Sequence, residues 1–333
     1  MLWCASQPYA AAVTLRNWAF DRGIKKTIGV GIPVVSVGNL TAGGTGKTPT
    51  VAFLAKWFRA HNKRVAILSR GYGAGSDGRN DEAKELEITL PDVPHLQSPD
   101  RIASARIAVE ELGMELLLLD DGFQHRRIGR ELDIVLLDAR EPFGFGYLLP
   151  RGLLREPLRS LKRADIVIAT RCDQVDAQSL ASLRSRVQRH NPRVAWVEAA
   201  HTPIRLRNSE GTTNELAWLH GKNVIAVCGI GNPQAFLKTI ETLGAHLVGQ
   251  VIFPDHHLFN AGDIREIGVV ANEATNCEAI LCTGKDMTKI GINNIDRFPL
   301  WSLDIELAIV SGNEILEDRL REVLRGSPDE SID

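Results

Sequence analysis

The chain is poor in the features that would send it across a membrane or onto a nucleic acid. Its five cysteines (Cys4, Cys172, Cys228, Cys277 and Cys282) form no CxxC pair, and Cys172, Cys228 and Cys282 lie in or beside apolar runs, so they read as buried thiols in a reducing cytoplasm. Lys plus Arg total 39 against 41 Asp plus Glu, a net charge of -2, which provides no global field to collect DNA or RNA, and no nucleic-acid partner is expected. There is neither a basic-then-apolar leader nor a run of about 20 apolar residues, so neither export nor a membrane span is expected. Repeats and low-complexity tracts are missing too.

What is present is a soluble balance of 44% hydrophobic and 24% charged residues over 333 positions, more than one core usually serves, so two domains are expected. Short apolar runs alternate with helical patterns: 33–38, then 46–60, 64–69, 99–113 and 115–119, with further strands at 133–137, 165–169 and 194–197 and a helix at 176–190. That alternation predicts an α/β fold, a doubly wound, mainly parallel sheet, spanning 25–205. A polar, turn-rich linker is placed at 206–222 and a second, smaller α/β domain at 223–325, closed by a helix near 313–324. Residues 326–333 read as a disordered tail. Residues 1–24 mix Leu2, Trp3, Tyr9, Val13, Trp18 and Phe20 with Arg16 and Arg22, which suits an interfacial or amphipathic helix at a membrane surface or an ordinary helix packed on its own domain.

The strongest local signal is the run 38–48, Gly-Asn-Leu-Thr-Ala-Gly-Gly-Thr-Gly-Lys-Thr, between a predicted strand and a predicted helix. Glycines let backbone N–H groups approach phosphate, and a helix N-terminus favours negative charge. Thr41, Ala42, Gly43, Gly44, Thr45 and Gly46 are therefore expected to cradle a nucleotide, with Lys47 on the β- and γ-phosphates and the Thr48 hydroxyl on Mg²⁺. The pattern departs from G-x-x-x-x-G-K-[ST] in one place, where Thr41 replaces the opening glycine.

A fully apolar strand at 116–119 delivers Asp120 and Asp121 at its C-terminal end, where open parallel sheets carry their chemistry. These carboxylates are candidates for the Mg²⁺ site; the alternative is that they cap the following turn. His125 cannot be assigned by spacing. Asp100, at the start of a helix, is either a cap or a general base for a hydroxyl acceptor. Arg151, Arg155 and Arg159 form a cluster that clamps phosphate oxygens or is a solvated basic face. In the second domain, Pro254-Asp255-His256-His257 follows a strand and is assigned to a phosphate or Mg²⁺ contact in preference to a metal site of its own.

Together these segments resemble the tetraacyldisaccharide 4'-kinases, the lipid A pathway kinases of Gram-negative bacteria. The resemblance rests on the runs 36–49 (SVGNLTAGGTGKTP), 68–73 (LSRGYG), Asp81-Glu82, Asp100-Arg101, 120–125 (DDGFQH), 153–157 (LLREP) and 253–257 (FPDHH), in family order. It implies transfer of the ATP γ-phosphate to the 4'-hydroxyl of an acylated glucosamine disaccharide 1-phosphate, giving lipid IVA. It also implies a peripheral position on the cytoplasmic face of the inner membrane, with the nucleotide in a cleft between a P-loop domain and a smaller α/β domain; a monomer is expected. By position, Asp100 would be the base paired with His125, Asp120 and Asp121 would serve Mg²⁺ with Thr48, and Arg155, Glu156 and His256 would line the site. The chain reads Asn80-Asp81-Glu82-Ala83 where the family often has Gly-Asp-Glu-Pro, and Thr283-Gly284-Lys285-Asp286 where it often has Thr-Glu-Lys-Asp.

Two other classes share part of this signature. A P-loop GTPase of the metal-loading or assembly type explains the phosphate loop and uses Thr170-Arg171-Cys172-Asp173 as a guanine-reading loop, but gives no reason for Asp100 and His125. A nucleotide-gated membrane scaffold explains the N-terminal segment and makes no phosphorylated product.

Overall fold

The computed structural model of the chain describes residues 2–71, 81–255 and 257–326, without the side chains of residues 2–5, 81 and 82. Its described residues fall into two units, one within Met1–Asn80, Leu86–His201 and Leu307–Asp333, the other within Asp81–Glu85 and Thr202–Glu306.

The first unit opens with α1 (Leu2–Asp21) and continues through β1 (Val34–Asn39), α2 (Lys47–Ala60) and β2 (Val65–Ser69). After α3 (Asp81–Thr89) come β3 (His95–Gln97), α4 (Arg101–Arg106), β4 (Leu116–Asp120), β5 (Leu132–Asp138), β6 (Ile166–Thr170), α5 (Ala177–His190) and β7 (Ala195–Arg207). The strands run in the order β7-β6-β5-β1-β4-β2-β3, and the registered pairs from β6/β7 to β2/β3 are all parallel.

Burial on both faces explains why these strands read as unbroken apolar runs instead of alternating patterns. In β4, Leu116 and Leu118 enter one core and Leu117 and Leu119 another; the period of two sends successive side chains to opposite sides. On the first of these faces α2 adds Val51, Leu54, Ala55 and Phe58, spaced as one helical stripe.

The second unit holds β8 (Thr213–Asn214), β9 (Asn223–Cys228), α6 (Pro233–Thr242), β10 (His246–Ile252), α7 (Ala261–Glu273), β11 (Ala279–Thr283), α8 (Gly284–Ile290), β12 (Asn294–Ile295) and most of β13 (Phe298–Ser311). Its parallel order is β10-β9-β11-β13.

Two expectations about boundaries differ from what is seen. Much of the stretch read as a linker is structured: β7 continues to Arg207, and Leu206 and Leu219 are fully buried with Val224 and Leu281. Only the Asn208 turn behaves as expected, its side chain accepting from the N–H groups of Glu210 and Thr212. The last helix, α9 (Asn313–Arg325), packs Leu316, Leu320 and Val323 with Val197, Ala199 and Leu307 in the first unit. The chain enters it through Gly312 at φ 83, where a Cβ would lie 2.6 Å from the Trp196 carbonyl, so only glycine fits.

Cys172, Cys228 and Cys282 are buried free thiols, as their apolar surroundings imply, and Cys277 is half-buried. No helix among the described residues is long and apolar enough to cross a membrane.

Candidate active site

β1 lies between β4 and β5, with Val37 opposite Asp120 and Gly38 opposite Val135. The loop that follows β1 and the acids that end β4 therefore emerge at one sheet edge, at a switch in strand order. Close approach there requires glycine: a Cβ on Gly38 would fall 2.6 Å from the Cβ of Phe123, and one on Gly122 would fall 2.5 Å from Ser36 Oγ.

The loop itself is fastened at its N-terminal end. Leu40 accepts from the Arg155 N–H at 2.7 Å, Ala42 donates to the Leu153 carbonyl at 2.7 Å, and Thr41 bridges Leu154 in antiparallel fashion. Position 41 thus has strand-like pairing and no positive φ, a setting in which a β-branched residue is favoured and glycine gains nothing. This accounts for the threonine that departs from the phosphate-loop pattern. It also takes Ala42 out of the expected cradle, because its N–H is already engaged by the Leu153 carbonyl. Gly43 (φ 120) and Gly46 (φ 88) take the left-handed backbone that the turn into α2 demands.

Lys47 opens α2 and is 9% exposed; its Nζ lies 3.9 Å from Asp121 Oδ1. Arg155 Nη1 donates to both Asp121 oxygens, at 2.8 and 2.7 Å, and the buried Arg101 donates to the Asp121 carbonyl at 3.0 Å. Burial pushes the Asp121 carboxyl up, but Lys47, Arg155 and Arg101 together outweigh it and hold the group below its ordinary value. Asp121 adopts φ 52, an uncommon conformation for a non-glycine residue that marks functional turns. Asp120, the last residue of β4, is 3% exposed. Thr48 is buried one residue into α2.

His125 follows on the same turn, its N–H on the Gly122 carbonyl at 2.8 Å. Burial, with Arg101, Arg130 and Arg127 nearby, lowers its pKa to about 4, and Asp100 acts weakly the other way. The imidazole is therefore neutral near pH 7. Asp100 is exposed and caps α4, accepting from the N–H groups of Ile102 and Ala103 at 3.2 and 3.4 Å. Its charge reaches His125 without a hydrogen bond between them, since His125 Nε2 has no such partner among the described residues.

Glu156 departs from the expected role. It is completely buried and its oxygens accept from Arg16 (2.7 Å), Asn17 (2.9 Å) and Arg163 (3.0 Å), so it anchors α1 and does not line the loop. Tyr9 of α1 reaches the Arg155 carbonyl at 2.9 Å. His256 lies outside the described residues, as do Asn80 and the side chains of Asp81 and Glu82.

Four more residues complete the surroundings: Asn39 and His201, which had no assigned role, and Thr170 and Arg171, which the GTPase alternative had used to read guanine. Asn39 Nδ2 donates to the Thr45 hydroxyl at 3.0 Å and the Gly43 carbonyl at 3.4 Å, Thr170 Oγ1 to the Thr45 carbonyl at 2.9 Å, and Arg171 Nη1 to the Gly44 carbonyl at 2.9 Å. The ring of His201, its pKa lowered to about 4 by burial and then by Arg171, packs on Gly46 so closely that a Cβ there would sit 2.6 Å from Nε2. The polar residues at the ends of β1 and β6 were the available signal, since strand C-termini are where such edges are built.

Comparison with known proteins places the chain in a family. Residues 1–325 match the model of the tetraacyldisaccharide-1-P 4'-kinase family. The chain is 40% identical to the tetraacyldisaccharide 4'-kinase of Anaeromyxobacter sp. (strain K), over 97% of this chain and 90% of that protein. It is 38% identical to that of Syntrophus aciditrophicus (strain SB), over 90% and 87%. A crystal structure of LpxK from Aquifex aeolicus in complex with ATP superposes with a TM-score of 0.77 at 28% identity, covering 96% of this chain and 98% of the other. The described chain belongs to the tetraacyldisaccharide-1-P 4'-kinase family.

Proposed function

We propose that this kinase of the lipid A pathway uses ATP as its donor and passes the γ-phosphate to the 4'-hydroxyl of the tetraacyldisaccharide 1-phosphate. The observation that carries this reading is the meeting, at one sheet edge, of a glycine-rich helix N-terminus, the buried Lys47 and the Asp120–Asp121 turn. The ATP complex of the Aquifex aeolicus relative supports the choice of nucleotide.

In this reading the N–H groups from Gly43 to Thr48 hold the phosphates and Lys47 stabilises charge on the β- and γ-oxygens. The Thr48 hydroxyl and the Asp120 and Asp121 carboxylates are an all-oxygen set that fits Mg²⁺, an ion that binds through one or two carboxylates, phosphate oxygens and water. When bound, Mg²⁺ supplies charge neutralisation on the transferring phosphoryl group. Arg155 keeps Asp121 ionised and in place. Asp100 accepts the proton of the 4'-hydroxyl, and the neutral His125 orients the acceptor without adding a positive charge.

The N-terminal helix supports a peripheral position on the cytoplasmic face of the inner membrane. α1 is fixed to its own unit by Tyr9, Arg16 and Asn17, yet Leu15 is 65% and Trp18 46% exposed, and Ile24 is 64% exposed beside the exposed Arg22, Lys25 and Lys26. Apolar side chains bordered by cations suit a bilayer surface.

The test is incubation of the purified protein with Mg²⁺, γ-labelled ATP and tetraacyldisaccharide 1-phosphate in mixed micelles. Label is expected in the lipid and absent with Lys47→Ala. Hydrolysis of ATP without labelled lipid would refute the acceptor while leaving the phosphate loop intact.

A further inference from the structure

A phosphate loop works only if its N–H groups point inward, and in a trans peptide the N–H and the preceding carbonyl point opposite ways. The direction of the donors can therefore be read from what holds the carbonyls. Three successive carbonyls of this loop are each gripped by a side chain from outside it: Gly43 by Asn39, Gly44 by Arg171 and Thr45 by Thr170. The N–H groups that these peptides turn the other way belong to Gly44, Thr45 and Gly46, and none of the three makes a hydrogen bond among the described residues. Such a succession of free donors is an anion nest.

Of the three grips, the one from Arg171 is the only charged one. Its residue sits at φ 55, ψ 35 just after β6, a left-handed conformation that a non-glycine side chain adopts at some cost. Its guanidinium is also bound by Asp138 at the end of β5, and Asp138 in turn takes Arg140 at 2.8 Å. Arg171 is thus oriented from one side and fastened to the loop on the other.

We propose that Arg171, held by Asp138, is a positioning residue of the phosphate loop: it fixes the Gly44–Thr45 peptide and so aims the Thr45 N–H at the triphosphate. The inference rests on the reading that this loop binds the nucleotide phosphates. It assigns the Thr170–Asp173 segment to the loop backbone, a role different from reading a nucleobase.

The experiment measures affinities of the full-length protein for Mg²⁺–ATP and for Mg²⁺–tripolyphosphate, by competition against a fluorescent ATP analogue. Arg171→Ala, Arg171→Lys, Asp138→Asn and Lys47→Ala are compared with the unaltered chain. Loss of one charge-assisted grip is expected to weaken both ligands equally, by about tenfold, in Arg171→Ala. Arg171→Lys recovers part of that loss, and Asp138→Asn reproduces part of it. At saturating ATP, kcat stays within about twofold of the unaltered protein while KM for ATP rises, the pattern of lost uniform binding. A fall for ATP with no fall for tripolyphosphate would assign Arg171 to the nucleoside and overturn the proposal. So would unchanged affinities in both Arg171 variants while Lys47→Ala weakens binding. If Lys47→Ala also leaves both ligands unaffected, the phosphate-loop reading itself has failed, and this inference with it.

Discussion

One nitrogen of Arg155 donates to both carboxylate oxygens of Asp121, at 2.8 and 2.7 Å, while Lys47 stands 3.9 Å away on the same group. A carboxylate flanked by two cations stays ionised and cannot swing. Removing Arg155 is expected to free it to rotate and to lower kcat/KM by about a hundredfold, the scale of losing a preorganised electrostatic contact. A double-mutant cycle with Arg155→Ala and Asp121→Ala checks this, because residues that act as one unit give strongly non-additive losses. Simple multiplication of the two single losses would show that the pair is not coupled.

Asp100 has two duties to separate, helix cap and base. Asparagine caps a helix about as well as aspartate, and alanine costs about 1 kcal/mol. Asp100→Asn is therefore expected to keep the melting temperature and lower kcat by about 10²–10⁴, the range of general-base catalysis, without changing the Kd for ATP. If kcat survives in Asp100→Asn, the carboxylate is only a cap and the base lies elsewhere.

Gly46 carries two constraints at once, a left-handed backbone and the imidazole of His201 against its Cα. Gly46→Ala is expected to abolish ATP binding. Adding His201→Gly relieves the contact and leaves the backbone strain, so calorimetry should find only partial recovery. Full recovery would mean that the backbone conformation at position 46 is of no consequence.

Stability should fall on mild acidification. Burial lowers His95, His125 and His201 to about 4, below the ordinary value of about 6.5 in the unfolded chain. As pH falls through that window the unfolded state takes up protons first, so the stability present above about 6.5 is lost progressively towards 4. Asp133, raised to about 6 by burial, has the opposite sign and offsets one of the three. Urea midpoints measured between about pH 7.5 and 5 should therefore decline. A flat or rising midpoint would contradict the neutral histidines.

Most strands of the first unit were legible because burial on both faces writes unbroken apolar runs such as Leu116–Leu119, and α2 writes a helical stripe; α3 and the three-residue, half-buried β3 were not read. The phosphate loop was legible from composition, yet which of its N–H groups are free was not. That depended on the Ala42–Leu153 and Leu40–Arg155 bonds, which join segments more than a hundred positions apart. The same is true of α9: its apolar stripe announces a helix but carries no mark of the unit on which it packs. Glu156 misled for a related reason. Beside Arg155 in one short motif it looks like a site residue, while its burial and its three donors come from α1 and Arg163.

That last arrangement changes how a truncated protein should be interpreted. Arg155 holds the Asp121 turn and its neighbour Glu156 holds the N-terminal helix, so removing residues 1–20 strips two of the three donors from a fully buried carboxylate. Leaving such a charge under-compensated costs several kcal/mol, on the order of 3–5, and the strain falls one peptide bond from the residue that steadies Asp121. A shortened chain would then be impaired toward ATP as well as toward its lipid, and loss of activity in it would not by itself measure membrane attachment. Single changes at Leu15 and Trp18, 65% and 46% exposed, separate the two effects, because they leave the inward contacts of Tyr9, Arg16 and Asn17 in place.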